Sequence, residues 1–119
     1  MVNLLPLRKS ISGEPSSPQF IRLDESADDV IRALRSETAR AILASLHEEA
    51  QTPSELAKQV DTSVQTISYH LDNLSAVGIV TIIDQWYSEK GRTMDVYAPA
   101  ADPLILFAGS EEGPLESEP

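Results

Sequence analysis

The chain has 119 residues, with 19 acidic against 9 basic side chains, a formal net charge of −10, 41% hydrophobic residues and no cysteine. That length fits one domain and leaves little room for a deep catalytic cleft, and the missing thiols exclude disulfides, thiolate zinc sites and thiol nucleophiles. No apolar run approaches the ~20 residues that cross a bilayer, and the N-terminus lacks the apolar core of a signal peptide, so the expected compartment is cytoplasmic.

Glu111, Glu112, Glu116 and Glu118 supply four of the negative charges, and −6 remains without them. A domain this acidic repels itself in dilute buffer, whereas molar salt screens that repulsion beyond about 3 Å. The composition therefore points to a halophilic, high-salt cytoplasm.

Residues 1–23 are rich in Pro and Ser and carry no periodic apolar pattern, which predicts a flexible arm with Gln19-Phe20-Ile21-Arg22-Leu23 as a candidate docking strand. Residues 109–119 are dominated by Gly, Pro, Ser and Glu and are expected to form a disordered acidic tail. The folded domain is expected over 24–108. It opens on a short helix over 28–34, where acids lead and Val30, Ile31 and Leu34 follow at helical spacing. Ser36 caps a second helix ending near Glu49. Its Ala39, Ile42, Leu43 and Leu46 fall at i, i+3, i+4 and i+7 and make one apolar stripe.

Thr52-Pro53-Ser54-Glu55 is a capping box with proline at the first helical position. Leu56, Ala57 and Val60 then face inward until Asp61-Thr62-Ser63 breaks the helix. Ser63 caps the next one, predicted over 63–77, with Ile67, Leu71 and Leu74 on its inner side and Gly78 as its stop. Beyond Gly78 the period changes to that of a hairpin. Residues 79–87 form one strand, a turn over 88–91 follows, and residues 93–98 alternate, with Met94 and Val96 on one side and Thr93, Asp95 and Tyr97 on the other. Residues 103–108 are apolar and short, and their periodicity does not choose between a strand, a helical stub and an interface element.

The fold class that follows is mainly α with a small β-hairpin: a winged helix-turn-helix domain with flexible termini. A helix held by a rigid partner helix fits the major groove of DNA. At 100° per residue, burial of Ile67, Leu71 and Leu74 turns Gln65, Ser68, Tyr69 and Asp72 outward. Gln can pair bidentately with adenine, while Ser and Tyr can bond base edges or phosphates. Val64 at the entry turn suits a thymine methyl. The amides at Ser54 and Ser63 suit phosphate, as do Lys90 and Arg92 at the tip of a wing spanning 87–93. Asp72 opposes binding. Residues 51–97 hold six acids and three bases, a poor balance for a reader that depends on cations. A winged helix that binds another protein and never meets DNA is the alternative reading.

Thr52-Pro53-Ser54-Glu55-Leu56-Ala57 followed by Asp61-Thr62-Ser63-Val64-Gln65-Thr66-Ile67-Ser68-Tyr69-His70-Leu71 resembles the reader unit of ArsR-type winged-helix transcription regulators. The preceding stretch from Ala33 through Ser36 to Leu43 is similar to that family's opening helices. The acidic composition and Trp86-Tyr87-Ser88-Glu89-Lys90-Gly91-Arg92 resemble its haloarchaeal members. The resemblance covers roughly 27–98. It implies a homodimer that places two reader helices on successive grooves of double-stranded DNA, with Val64, Gln65, Ser68 and Tyr69 as the reading residues. The family's metal-sensing cysteines and His/Asp sets are missing here, so no metal and no cofactor is expected. Its long C-terminal dimerisation helix has no counterpart beyond residues 103–108. Val30, Ile31, Leu34, Leu104 and Leu106 are therefore the candidate dimer contacts.

Other conspicuous residues have plainer readings. His70 is expected to be partly buried and hydrogen-bonded between helices. His47-Glu48-Glu49 is a polar helix end, and Trp86 packs the hairpin. No Ser/His/Asp set has an activating arrangement, so no enzyme activity is expected.

Overall fold

The computed structural model describes residues 17–87 and 90–109. The expected flexible arm lies outside this range up to residue 16, as do Ser88 and Glu89 of the turn and the acidic tail from residue 110. The ordered elements are β1 (Gln19–Arg22), α1 (Asp28–Ala33), α2 (Glu37–Glu48), α3 (Pro53–Val60), α4 (Val64–Ala76), β2 (Val80–Tyr87), β3 (Thr93–Pro99) and β4 (Leu104–Phe107), with a single 3-10 turn over Glu25–Ala27 ahead of α1.

Local chemistry sets each helix boundary. Asp24 caps the 3-10 turn, its carboxylate accepting from the Ser26 amide and hydroxyl. These Ser26 hydrogen bonds, and then the neighbouring Arg22, hold the Asp24 carboxyl below its ordinary range. The Ser36 hydroxyl accepts from the amides of Thr38 and Ala39 and starts α2. At α3 the capping box is complete: Thr52 Oγ1 accepts from the Glu55 amide at 3.2 Å, and Glu55 Oε1 accepts from the Thr52 amide at 2.9 Å. Asp61 ends α3 with φ +63°, a left-handed conformation that Asp tolerates better than most residues. Ser63 Oγ accepts from the Thr66 amide and starts α4. At the far end of α4, Gly78 has φ +81°. Its amide reaches the Ser75 carbonyl, and the Ile79 amide reaches the Leu74 carbonyl, a Schellman stop.

The helices bury one continuous core. Ile42 and Leu46 from α2, Leu56 from α3, and Ile67, Leu71 and Leu74 from α4 meet Ile79, Val80 and Tyr97 from the hairpin side. The expected apolar stripes account for the helical part of this cluster, with Leu43, Ala57 and Val60 at its half-buried margin.

The hairpin departs from simple alternation. β2 and β3 pair antiparallel, with a register shift between Ile82, opposite Tyr97, and Asp84, opposite Val96. One extra residue on β2 bulges the strand and increases its twist. Val96 and Tyr97, expected on opposite sides of the strand, are both buried. Gln51, just before α3, exchanges two backbone hydrogen bonds with Tyr97, at 2.8 and 3.1 Å. The end of β3 thus has this bridge on one edge and β2 on the other.

The open question over residues 103–108 resolves as a strand. β4 pairs parallel with β1, Gln19 opposite Leu104 and Arg22 opposite Phe107. Ile21 and Leu104 pack onto the helical core, while Phe20 and Phe107 meet edge to face with ring centroids 6.5 Å apart. The docking strand thus has a partner within its own chain.

Candidate nucleic-acid interface

α3 and α4 are joined by Asp61-Thr62-Ser63, which turns the chain between two short helices. The inner face of α4 is spent on Ile67, Leu71 and Leu74, each at most 1% exposed. Its opposite face is open. Tyr69 is 63% exposed and Val64 44%; Gln65 and Asp72 are also exposed, and Ser68 is half-buried. Val64, Gln65, Ser68 and Tyr69 therefore share one solvent-facing surface. The Tyr69 ring stands edge-on to His70, centroids 5.1 Å apart, which limits where the phenol can swing. His70 is half-buried at the margin of that surface.

Ser54, the second residue of α3, is exposed. Ser63 is exposed too, but its hydroxyl is engaged: it caps the Thr66 amide and lies 3.0 Å from Thr66 Oγ1. What the start of α4 offers an anion is the main-chain amides of Val64 and Gln65, which precede the capped Thr66 amide and have no carbonyl partner within the helix. Lys90 and Arg92 are exposed and flank Gly91, which turns with φ +82°. Below them on the hairpin, Gln85 Nε2 donates to Asp95 Oδ1 at 2.8 Å. The Tyr97 phenol is pushed above its ordinary range, first by burial and then by the charges of Asp95 and Asp72.

The candidate dimer residues divide. Val30 is only 6% exposed, and Leu34 and Leu104 pack against the core of their own chain. Ile31, 46% exposed, and Leu106 keep apolar surface in solvent, as does Phe20. Two further features escaped sequence reading. Tyr87, 79% exposed, ends β2 beside the wing tip; an aromatic immediately before the turn was the available signal. A polar groove beside Tyr69 is lined by Arg32 and Arg35, and no local sequence pattern joins those residues.

Among the described residues there is no cluster of His, Asp or Glu able to hold a metal ion, and no helix is long and apolar enough to cross a membrane.

The arrangement is a winged helix-turn-helix fold. Residues 34–83 match a family model described as a helix-turn-helix domain. Among solved structures, the chain is similar to NolR from Sinorhizobium fredii, with 27% identity and a TM-score of 0.53 over 66% of this chain and 72% of NolR. It is similar to an ArsR-like transcriptional regulator from Rhodococcus sp. RHA1, at 30% identity and a TM-score of 0.50 over 62% of each chain. It also shares its fold with Mb0332 from Mycobacterium bovis, described as a homodimeric winged helix-turn-helix DNA-binding domain and a possible ArsR-family transcriptional regulator. That likeness has 19% identity and a TM-score of 0.53, over 66% of this chain and 67% of that one. No curated protein sequence matches this chain.

Proposed function

We propose that this protein is an ArsR-type, sequence-specific DNA-binding transcription regulator and not an enzyme. The observation that carries the reading is the open face of α4. Gln65, Ser68 and Tyr69 point away from the core on a helix whose other side is locked down. Such a helix enters a major groove about 12 Å wide and reads base edges with polar side chains. Ser54 and the first-turn amides of α4 meet the backbone on one approach, and Lys90 and Arg92 of the wing on another. The helix-turn-helix match over residues 34–83 and the regulators among the similar structures support the assignment.

The working unit in this reading is a homodimer, with half-sites about 34 Å apart. Ile31 and Leu106 contribute exposed apolar surface to its contact, while Val30, Leu34 and Leu104 support them from beneath. The acidic surface fits a halophilic cytoplasm. At molar salt the release of counterions adds little to affinity for any protein, so polar base contacts and shape carry binding. Cations bridging carboxylate and phosphate then make the affinity nearly independent of KCl.

The test is recovery of genomic fragments by the tagged chain at high KCl, beside the double variant Gln65→Ala/Tyr69→Ala. The variant keeps its fold, because both side chains are exposed, and loses the recovered fragments. The excess of acids over bases across residues 51–97 favours a second reading, a winged helix that docks a protein. Equal recovery by variant and wild type, or none by either, would favour it.

A further inference from the structure

We propose that Arg32 and Arg35 form a clamp for a backbone phosphate of the DNA read by α4. This rests on the DNA-reading assignment above and extends it to a surface outside the helix-turn-helix and the wing. α4 contains no lysine or arginine. Yet a helix lying in a major groove runs between rows of phosphates, and a guanidinium bonded to one of them fixes the reader's register on the duplex. A groove opens between the end of α1, the connection to α2 and the flank of α4, in two adjoining pockets of about 410 and 170 Å³. Both are lined by Arg32, Arg35, Tyr69 and Asn73, and the smaller one also by Ser36 and His70. Its wall thus carries two guanidinium-bearing side chains, a phenol, a carboxamide, a hydroxyl and an imidazole beside the apolar Ala33, Ala76 and Val77, and its one carboxylate, Asp29, is the partner of Arg32. That inventory suits an oxyanion with several acceptor oxygens. Tyr69 belongs both to the groove wall and to the outward face of α4, so the groove is continuous with the reading surface.

The two arginines are differently engaged. Arg32 pairs with Asp29 at 2.9 Å on the surface, with both side chains more than 60% exposed. Such a pair contributes little and exchanges readily. Arg35 is exposed and makes no ion pair among the described residues, in a chain where acids outnumber bases two to one. The backbone beneath it is fixed. Arg40 Nη1 donates to the carbonyls of Leu34 and Arg35 at 2.8 and 2.9 Å, closing the end of α1. Ser36 caps α2 immediately after it. Arg35 is therefore an exposed guanidinium on a hydrogen-bonded mount beside the reader.

The experiment measures fluorescence anisotropy of a recovered genomic fragment and of a scrambled one, over a series of KCl concentrations. It compares wild type, Arg35→Gln, Arg35→Lys and Arg32→Gln/Arg35→Gln, with Gln65→Ala/Tyr69→Ala alongside. Arg35→Gln is expected to weaken both fragments by a similar factor, about three- to tenfold. It also changes the slope of log affinity against log salt by about 0.9 per subunit, in the direction of one fewer phosphate contact. Arg35→Lys, which keeps a point charge without the planar fork, recovers part of the loss. Arginine variants matching wild type in affinity and slope, while the Gln65/Tyr69 variant loses the recovered fragment, would overturn the clamp and leave the DNA reading intact. A loss confined to the recovered fragment would mean base readout and would also overturn it. If wild type binds neither fragment, the DNA reading fails and takes the clamp with it. A titration of free protein with inorganic phosphate separates the sources. Shifts at His70 and Asn73, together with unaltered DNA binding by the variants, would assign the groove to a free oxyanion instead.

Discussion

Removing the Thr52 hydroxyl gives a direct reading of how firmly α3, the helix packed against α4, is anchored. Thr52 is 3% exposed, so water cannot readily replace its side chain as acceptor for the Glu55 amide. In Thr52→Ala that amide loses its 3.2 Å partner, while the reciprocal bond from the Thr52 amide to Glu55 Oε1 is free to persist. The cap loss falls at about 1–2 kcal/mol, toward the upper part of the usual range because the site is covered. For an ordered unit of this size that is a drop of several degrees in Tm, on the order of 4–8 °C per kcal/mol. Urea denaturation followed by circular dichroism, at fixed KCl, should show a lower midpoint with an unchanged slope. Thr52→Ser restores the acceptor and recovers most of the loss. A change below about 0.3 kcal/mol in Thr52→Ala, against the expected cap cost, would refute the reasoning, as would a serine variant no better than alanine.

Gly78→Ala tests the end of α4. A Cβ there meets nothing within 4 Å, so the cost arises from the left-handed φ of +81° alone, about 1 kcal/mol. Thermal denaturation should show that loss, with Gly78→Asn less affected. Tyr97 is expected to ionise above the ordinary tyrosine range, because burial and the charges of Asp95 and Asp72 oppose its phenolate. The sign follows: stability from this group is complete below the unfolded tyrosine value and is lost as pH rises through the folded one. Subtracting the ultraviolet titration of Tyr97→Phe from that of wild type isolates this step; a midpoint at or below the ordinary value would contradict it.

The helical half of the fold was legible because its signals are local. Ser36, Thr52 with Glu55, Ser63 and Gly78 each satisfy backbone groups within a few residues of themselves, so one stretch of sequence holds both partners. The apolar spacing of Ile67, Leu71 and Leu74 likewise determined which side of α4 remains open. What stayed hidden depends on partners far apart in the chain. Gln51 and Tyr97 bond across 46 positions, and nothing beside either residue announces the other. The bulge between Ile82 and Asp84 breaks the period-2 pattern of β2 from within, and no residue type there marks it. Arg32 and Arg35 carry no sequence signal that singles them out. Only the packing of α1 against α4 sets them beside Tyr69.

The pairing of β1 with β4 imposes an order of events during synthesis. Gln19–Arg22 leaves the ribosome early, but its seat, Leu104–Phe107, is not yet translated. The capped helices in between have what they need as soon as they emerge. The helix-turn-helix can therefore consolidate first, with the leading strand held in waiting until the last stitch is made.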